Sequence, residues 1–201
     1  MTIQIYFGPM YSGKTTKLME IYNQDNENKT IIDYNMVDLS KDLVYRGILT
    51  NHNNNYINNI LKTRTLKNLN DIKNYSIVGD DLKNQLFNEF INSKHVYINE
   101  AQFYPDLKDF VLKLQQMGKT IYLFGLDSDY NQNKFGHIYE LIPYAEQVYK
   151  MKGKCNLCDN KSLISHRVTE KKELIVTDPK EYIPLCVNCY LQVKIDINNK
   201  L

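Results

Sequence analysis

The sequence predicts a mixed α/β fold, a mainly parallel sheet flanked by helices, followed by a small lobe clamped by cysteines. Three observations carry this prediction. Short apolar runs alternate with segments of helical period from residue 3 to residue 125. A glycine-rich turn, GPMYSGKT, separates the first run from the first helical segment. All four cysteines fall after residue 150, as two C-x-x-C pairs. Alternating strands and helices imply parallel pairing, because each parallel crossover needs a helix to carry the chain back.

The elements follow in order. Ile3, Ile5 and Phe7 alternate with Thr2, Gln4 and Tyr6, the period of a strand, and Gly8 breaks the run. Residues 15–22 carry Leu18, Ile21 and Tyr22 at helical spacing. Residues 30–33 (TIID) read as a second strand. Residues 40–60 are polar and rich in asparagine, which competes with regular backbone hydrogen bonds, so a long mobile surface segment is expected there. Residues 75–79 (YSIVG) are a third strand candidate, and Leu82, Leu86, Phe87 and Phe90 recur at helical spacing. Residues 95–99 (HVYIN) form a buried-strand run. Asp106 is placed to cap a helix bearing Leu107, Phe110, Val111 and Leu114, which stops at Gly118. Residues 120–125 (TIYLFG) complete a fifth strand.

At 201 residues the chain holds one or two domains and needs no disulfides to support a core. The texture changes near residue 150, which divides the chain into a larger N-terminal domain (1–150), a cysteine-bearing lobe (151–193) and a tail (194–201). Lys and Arg number 25 against 23 Asp and Glu, a net charge of +2. That balance speaks against a protein devoted to gripping nucleic acid, whose domains are usually strongly basic. No apolar stretch approaches the ~20 residues that span a bilayer. The N-terminus shows no secretory pattern. A cytoplasmic protein with no membrane or nucleic-acid partner is expected.

Gly8-Pro9-Met10-Tyr11-Ser12-Gly13-Lys14-Thr15, with Thr16 beyond it, fits G-x-x-x-x-G-K-[ST] without a mismatch. The glycines let backbone N–H groups wrap an anion, and the following helix turns its positive end toward it. Lys14 would contact the β- and γ-phosphates of ATP, and Thr15 would meet Mg²⁺. The strand ending at Asn99-Glu100 then supplies an acid where open α/β sheets bind ligands, at the carboxyl ends of strands. Glu100 is the candidate general base.

Cys155, Cys158, Cys186 and Cys189 suit a closed tetrahedral Zn²⁺ site of structural type. The gap between the pairs exceeds the usual ~15–20 residue spacer. A hairpin explains it, with residues 162–169 and 173–177 as strands joined by Glu170-Lys171-Lys172. Lys152, Lys154, Lys161, Arg167, Lys171 and Lys172 read as a solvated face, diluted by Asp159, Glu170 and Glu173.

Together these motifs resemble the type II thymidine kinase family. The matching segments are GPMYSGKTTKLM (8–19), NEAQFYPDL (99–107), GLDSDYNQNKFG (125–136), LIPYAEQVYKMKGKCNLC (141–158) and EYIPLCVNCY (181–190). The resemblance implies a P-loop NTPase-type sheet plus a zinc-bearing lasso domain, and transfer of the γ-phosphate of ATP to the 5′-hydroxyl of thymidine or deoxyuridine. It implies Glu100 as general base. Met10 and Leu126 would line the base pocket, Phe103, Tyr130 and Phe135 would be its aromatics, and Ser165 would sit near the thymine methyl. Tyr182 and Ile175 would belong to the nucleoside-binding residues of the lasso. Asp42 would join Thr15 and residue 99 around Mg²⁺. It also implies a homotetramer with feedback inhibition by dTTP.

Two positions depart from the family pattern. Asn99 stands where the family has aspartate, and Val44 stands where it has arginine, with Arg46 nearby. Asn99→Asp is accordingly expected to raise activity at limiting Mg²⁺. The same departures motivate a second reading, a non-catalytic nucleotide-sensing homologue. A third, a nucleic-acid-associated ATPase with a zinc ribbon, conflicts with the near-neutral charge.

Overall fold

The computed structural model describes residues 1–36, 45–64, 66, 89–174, 176 and 178–198. Among the described residues seven strands form the main sheet: β1 (Ile3–Phe7), β2 (Lys29–Tyr34), β3 (Tyr45–Thr50), β4 (Tyr56–Thr63), β5 (His95–Ile98), β6 (Thr120–Gly125) and β7 (Gln147–Lys150). Their order is β3-β4-β2-β5-β6-β1-β7. Every pairing is parallel except β3 with β4. The helices are α1 (Lys14–Gln24), α2 (Leu107–Gln116) and α3 (Val187–Asn198).

The pleat sorts side chains onto two faces. Ile3, Ile5, Ile32, Val96, Ile98, Ile121 and Leu123 share one cluster with Leu107, Phe110, Val111 and Leu114 of α2. Their neighbours in sequence, Tyr6, Ile31, Tyr97 and Phe124, pack on the other face with Leu18 and Met19 of α1. Both faces are covered, so these strands read as near-continuous apolar runs. The helix α2 ends through Met117 and Gly118, whose φ of 81° suits glycine.

Several sequence expectations change. From residue 45 on, the asparagine-rich stretch is not a long loop: β3 and β4 form an antiparallel hairpin across it, and residues 40–44 lie outside the described residues. Ile60 and Leu61 are buried, and among the described residues of the stretch the turn is confined to 51–55. Asn51 Oδ1 accepts the N–H groups of Asn53 and Asn55, at 3.0 and 3.1 Å. Asparagine density marked one tight turn, not the whole segment. Asp106 precedes α2 without capping it, because its carboxylate accepts instead from the Leu66 N–H at 3.2 Å. The strand candidate at 75–79 and Leu82, Leu86 and Phe87 lie outside the described residues.

The C-terminal lobe has two small antiparallel sheets. The first pairs β8 (Gly153–Lys154) with β9 (Lys161–Ser162), and the second pairs β10 (Ile164–Arg167) with β11 (Tyr182–Leu185). The expected partner of β10, residues 173–177, is not that strand: Glu173, Leu174 and Val176 lie outside any strand, and 175 and 177 are not described. The helix α3 continues to Asn198, past the point where a tail was expected.

Phe110 is 1% exposed and stacks on Phe90 at 6.0 Å. Phe110→Ala should lower the unfolding free energy by ~3–5 kcal/mol, read from urea denaturation.

Candidate active site

The phosphate loop is shaped by close backbone approaches. A Cβ on Gly8 would lie 2.3 Å from the Met151 carbonyl oxygen, so only glycine fits. Gly13 adopts φ 80° and hands the chain to α1 at Lys14. The unpaired N–H groups of that first turn, with the helix dipole, favour an anion there. Lys14 Nζ donates to the carbonyls of Gly8 (3.1 Å) and Pro9 (2.7 Å). Burial pushes its ammonium down to about 8, opposed by the nearby Glu100 charge.

Glu100 follows β5 in a left-handed conformation, φ 50°, unusual for a side chain of this size. Its Oε2 accepts from Gln102 Nε2 at 2.7 Å, and Gln102 Oε1 accepts from the Leu126 N–H at 2.9 Å. One buried amide therefore ties the carboxylate to the end of β6. Burial raises the Glu100 carboxyl above its ordinary range, and Lys14 opposes the shift.

Asn99 behaves otherwise than the sequence suggests. It is buried, and its Nδ2 donates to Asp33 Oδ1 at 2.8 Å. Lys62 ion-pairs with the other Asp33 oxygen. Asn99 is absent from the wall of the cavity described next.

A cavity of about 300 Å³ opens where the phosphate loop, the end of β5, the segment after β6 and the C-terminal lobe meet. Met10, Tyr11, Ser12, Gly13, Lys14, Thr15 and Thr16 form its phosphate-loop side. Glu100 and Phe103 stand beside them, and Leu126, Tyr130 and Phe135 come from the segment after β6. Ser165 and Tyr182 arrive from the lobe. The structure thus brings together nearly all the candidate residues, across about 170 positions of chain. Gly8 and Pro9 are not part of the cavity wall, and their carbonyls accept from Lys14 Nζ. Asp42, Val44 and Ile175 lie outside the described residues.

Three contacts join the phosphate loop to the lobe. The Met10 N–H donates to Ser165 Oγ at 2.8 Å, and Tyr11 Oη donates to the Pro179 carbonyl at 2.6 Å. A Cβ on Gly153 would meet the Tyr11 carbonyl oxygen at 2.8 Å. The sequence reading missed Gln102 and Asp129, as well as the hairpin-turn residues Asn51 and His52 that line the cavity. Asp129 Oδ1 accepts from the N–H groups of Asn131 and Asn133, so it folds the loop carrying Tyr130. D-x-N-x-N was its available signal.

The four cysteine sulfurs lie within 4.8 Å of one another. Cys158 Sγ stands 3.7 Å from that of Cys186 and 3.5 Å from that of Cys189. A tetrahedral ion with Zn–S of ~2.3 Å needs sulfurs roughly 3.8 Å apart, so the cluster fits zinc. Burial works against the Cys155 thiolate, but N–H groups of Cys186, Leu157 and Cys158 hold its thiol at about 6. Cys189, donating to the Cys158 sulfur, is pushed up to about 12. A dication relieves that competition for protons.

A thymidine kinase family model matches residues 1–190. The chain belongs to the thymidine kinase family. It is 31% identical to a thymidine kinase of sheeppox virus over 191 residues, covering 94% of this chain and 96% of the viral protein. It is 30% identical to thymidine kinase 1 of Dictyostelium discoideum over 192 residues, 94% of this chain and 77% of that one. Identity to the cytosolic thymidine kinase of Gallus gallus is 29% over 195 residues, with the same coverages. No helix among the described residues is long and apolar enough to cross a membrane.

Cys186→Ser removes one sulfur and two of the short contacts around it. It should reduce bound zinc from about one ion per chain to a small fraction, measured by elemental mass spectrometry.

Proposed function

We propose that this kinase transfers the γ-phosphate of ATP to the 5′-hydroxyl of thymidine or deoxyuridine, giving dTMP and ADP in DNA precursor salvage. The observation that carries the proposal is that Lys14 and Glu100 line one cavity. Lys14 and the N–H groups opening α1 hold the β- and γ-phosphates. Thr15 and Asp42 would hold Mg²⁺, which would supply positive charge against the transferred group. Glu100 takes the proton of the 5′-hydroxyl as its oxygen attacks the γ-phosphorus and ADP leaves. What supports the base role is its burial, which makes the carboxylate a stronger base, and the Gln102 bond that aims it.

The aromatic residues Phe103, Tyr130, Phe135 and Tyr182 supply flat faces for a base, with Met10, Leu126 and Ile175 as apolar neighbours and Ser165 as the hydroxyl near the thymine methyl. Ser165 already accepts from the Met10 amide, so its remaining capacity faces the nucleoside. A triphosphate product of the pathway, dTTP, fits the same reading as a feedback inhibitor. Its base would occupy the acceptor pocket and its phosphates would run toward the loop. Structural zinc, a homotetramer and a cytoplasmic location complete the proposal.

The non-catalytic reading drew on Asn99 and Val44, of which Val44 lies outside the described residues. The Asn99 amide completes a buried cluster with Asp33 and Lys62 that already contains a carboxylate. The gain expected from Asn99→Asp therefore reverses. A second carboxylate at 2.8 Å from Asp33 would repel it, and both thermal midpoint and dTMP formation should fall, measured by differential scanning fluorimetry and product assay. Labelled ATP with each of the four deoxynucleosides tests the function itself. Thymidine-dependent ADP is expected, and its absence with purified zinc-loaded protein refutes the proposal. Glu100→Gln should retain ATP binding and lose dTMP formation by ~10²–10⁴-fold. Because the carboxylate must be ionised and its value is raised, wild-type kcat/KM should fall with decreasing pH from above the ordinary carboxylate range.

A further inference from the structure

Arg167 closes β10 and was read from sequence as part of a solvated basic face. It is only 6% exposed. Among the described residues no carboxylate forms an ion pair with it. Its donors serve backbone oxygens instead: Nη1 reaches the carbonyls of Lys171 (2.9 Å) and Glu173 (2.5 Å), and Nη2 reaches that of Leu174 (3.3 Å). Nη2 also donates to the hydroxyl of Tyr182. The guanidinium lies over the Tyr130 ring, 3.7 Å from its centroid, and 5.0 Å from that of Tyr182. Tyr130 Oη in turn donates to the Lys172 carbonyl at 3.2 Å.

Taking a guanidinium out of water costs several kcal/mol unless its donors are met. Here the two Nη atoms satisfy the carbonyls of Lys171, Glu173 and Leu174 and a phenol, the guanidinium plane stacks on an aromatic face, and only Nε is buried without a partner among the described residues. Only arginine offers that fork of planar donors together with a stacking surface. Arg167 does not touch the cavity, yet Tyr130, Leu174 and Tyr182, which it holds, all line it. The ends of the same loop are closed independently. The Val168 N–H donates to the Glu181 carbonyl (2.9 Å), Thr169 Oγ1 donates to the Glu181 carboxylate (2.7 Å), and Lys171 ion-pairs with it.

We propose that Arg167 is a positioning residue for the acceptor nucleoside. It gathers residues 171–174 and the rings of Tyr130 and Tyr182 into one preformed wall. This rests on the thymidine-phosphorylating reading and adds the group that organises its acceptor pocket. The interaction is specific to that wall, because no donor of Arg167 reaches the phosphate loop or a cysteine. Its removal should therefore weaken nucleoside binding and leave ATP binding and zinc content alone. In physical terms the chain then pays the ordering of the loop on binding, which raises KM.

The experiment uses the full chain with Arg167→Met, which keeps bulk but no donors, and Arg167→Lys, which keeps charge but not the fork. Expected are a thymidine KM raised tenfold or more in Arg167→Met and less in Arg167→Lys. ATP KM should stay within twofold and zinc per chain should be unchanged. A second readout needs no catalysis: limited trypsin digestion should cut after Lys171 and Lys172 faster in both variants than in wild type. Unchanged thymidine KM and unchanged cleavage in Arg167→Lys and Arg167→Met overturn the proposal. So does a parallel rise of both KM values with loss of zinc in both, which would make Arg167 a general support of the lobe. Wild type without thymidine-dependent ADP but with the cleavage difference instead refutes the thymidine reading, and leaves the loop-organising contact as a structural fact only.

Discussion

The cavity beside the phosphate loop depends on one buried amide. Gln102 spends its nitrogen on the Glu100 carboxylate and its oxygen on the Leu126 N–H, so the chain leaving β5 and the chain leaving β6 are held in one register. A carboxylate in a desolvated pocket is otherwise free to rotate away or to neutralise. The packing around Gln102 leaves it no alternative. A Cβ on Gly125 would lie 2.8 Å from its side-chain oxygen, and one on Gly136, itself at φ 63°, would lie 2.1 Å from its carbonyl oxygen. Backbone from three segments thus closes on one glutamine. The left-handed backbone at Glu100 is sustained by that enclosure.

A second constraint couples the two ligand regions. The phosphate loop is bonded to the lobe through Met10 with Ser165 and Tyr11 with Pro179. The cysteine cluster sits at the root of the same lobe, where the Cys186 N–H donates to the Cys155 sulfur and Leu185 is buried. Small lobes have too little core to hold a shape alone. The cysteine cluster at one end and the phosphate loop at the other leave the intervening chain to be shaped by Arg167. The phosphate loop and the lobe are therefore mechanically one unit around the cavity that both line.

The buried cluster of Asn99, Asp33 and Lys62 shows how a motif departure is read differently in three dimensions. By sequence alone, asparagine at a strand end is a lost charge. In the sheet, Asp33 is the penultimate residue of a neighbouring strand, and β2 runs parallel beside β5 with Ile32 opposite Ile98. The charge is present one strand away, already neutralised by Lys62 from β4. The pairing that makes this so spans residues 33 to 99, a separation no local pattern encodes.

The sequence by itself determined the strand–helix alternation, the phosphate loop, Glu100 and the four cysteines. Each is a local pattern whose spacing follows from the chemistry: glycine where backbone must approach an anion, paired thiols where a small ion needs ligands, apolar residues at the period of their element. Tertiary structure alone decided the hairpin across the asparagine-rich stretch, the partner of β10, the burial of Arg167 and the work of Gln102. Those depend on which distant segments meet. A basic side chain among lysines carries no local sign that it will be buried against carbonyls from its own loop, because the desolvation it suffers and the donors it satisfies exist only once the chain has closed around it.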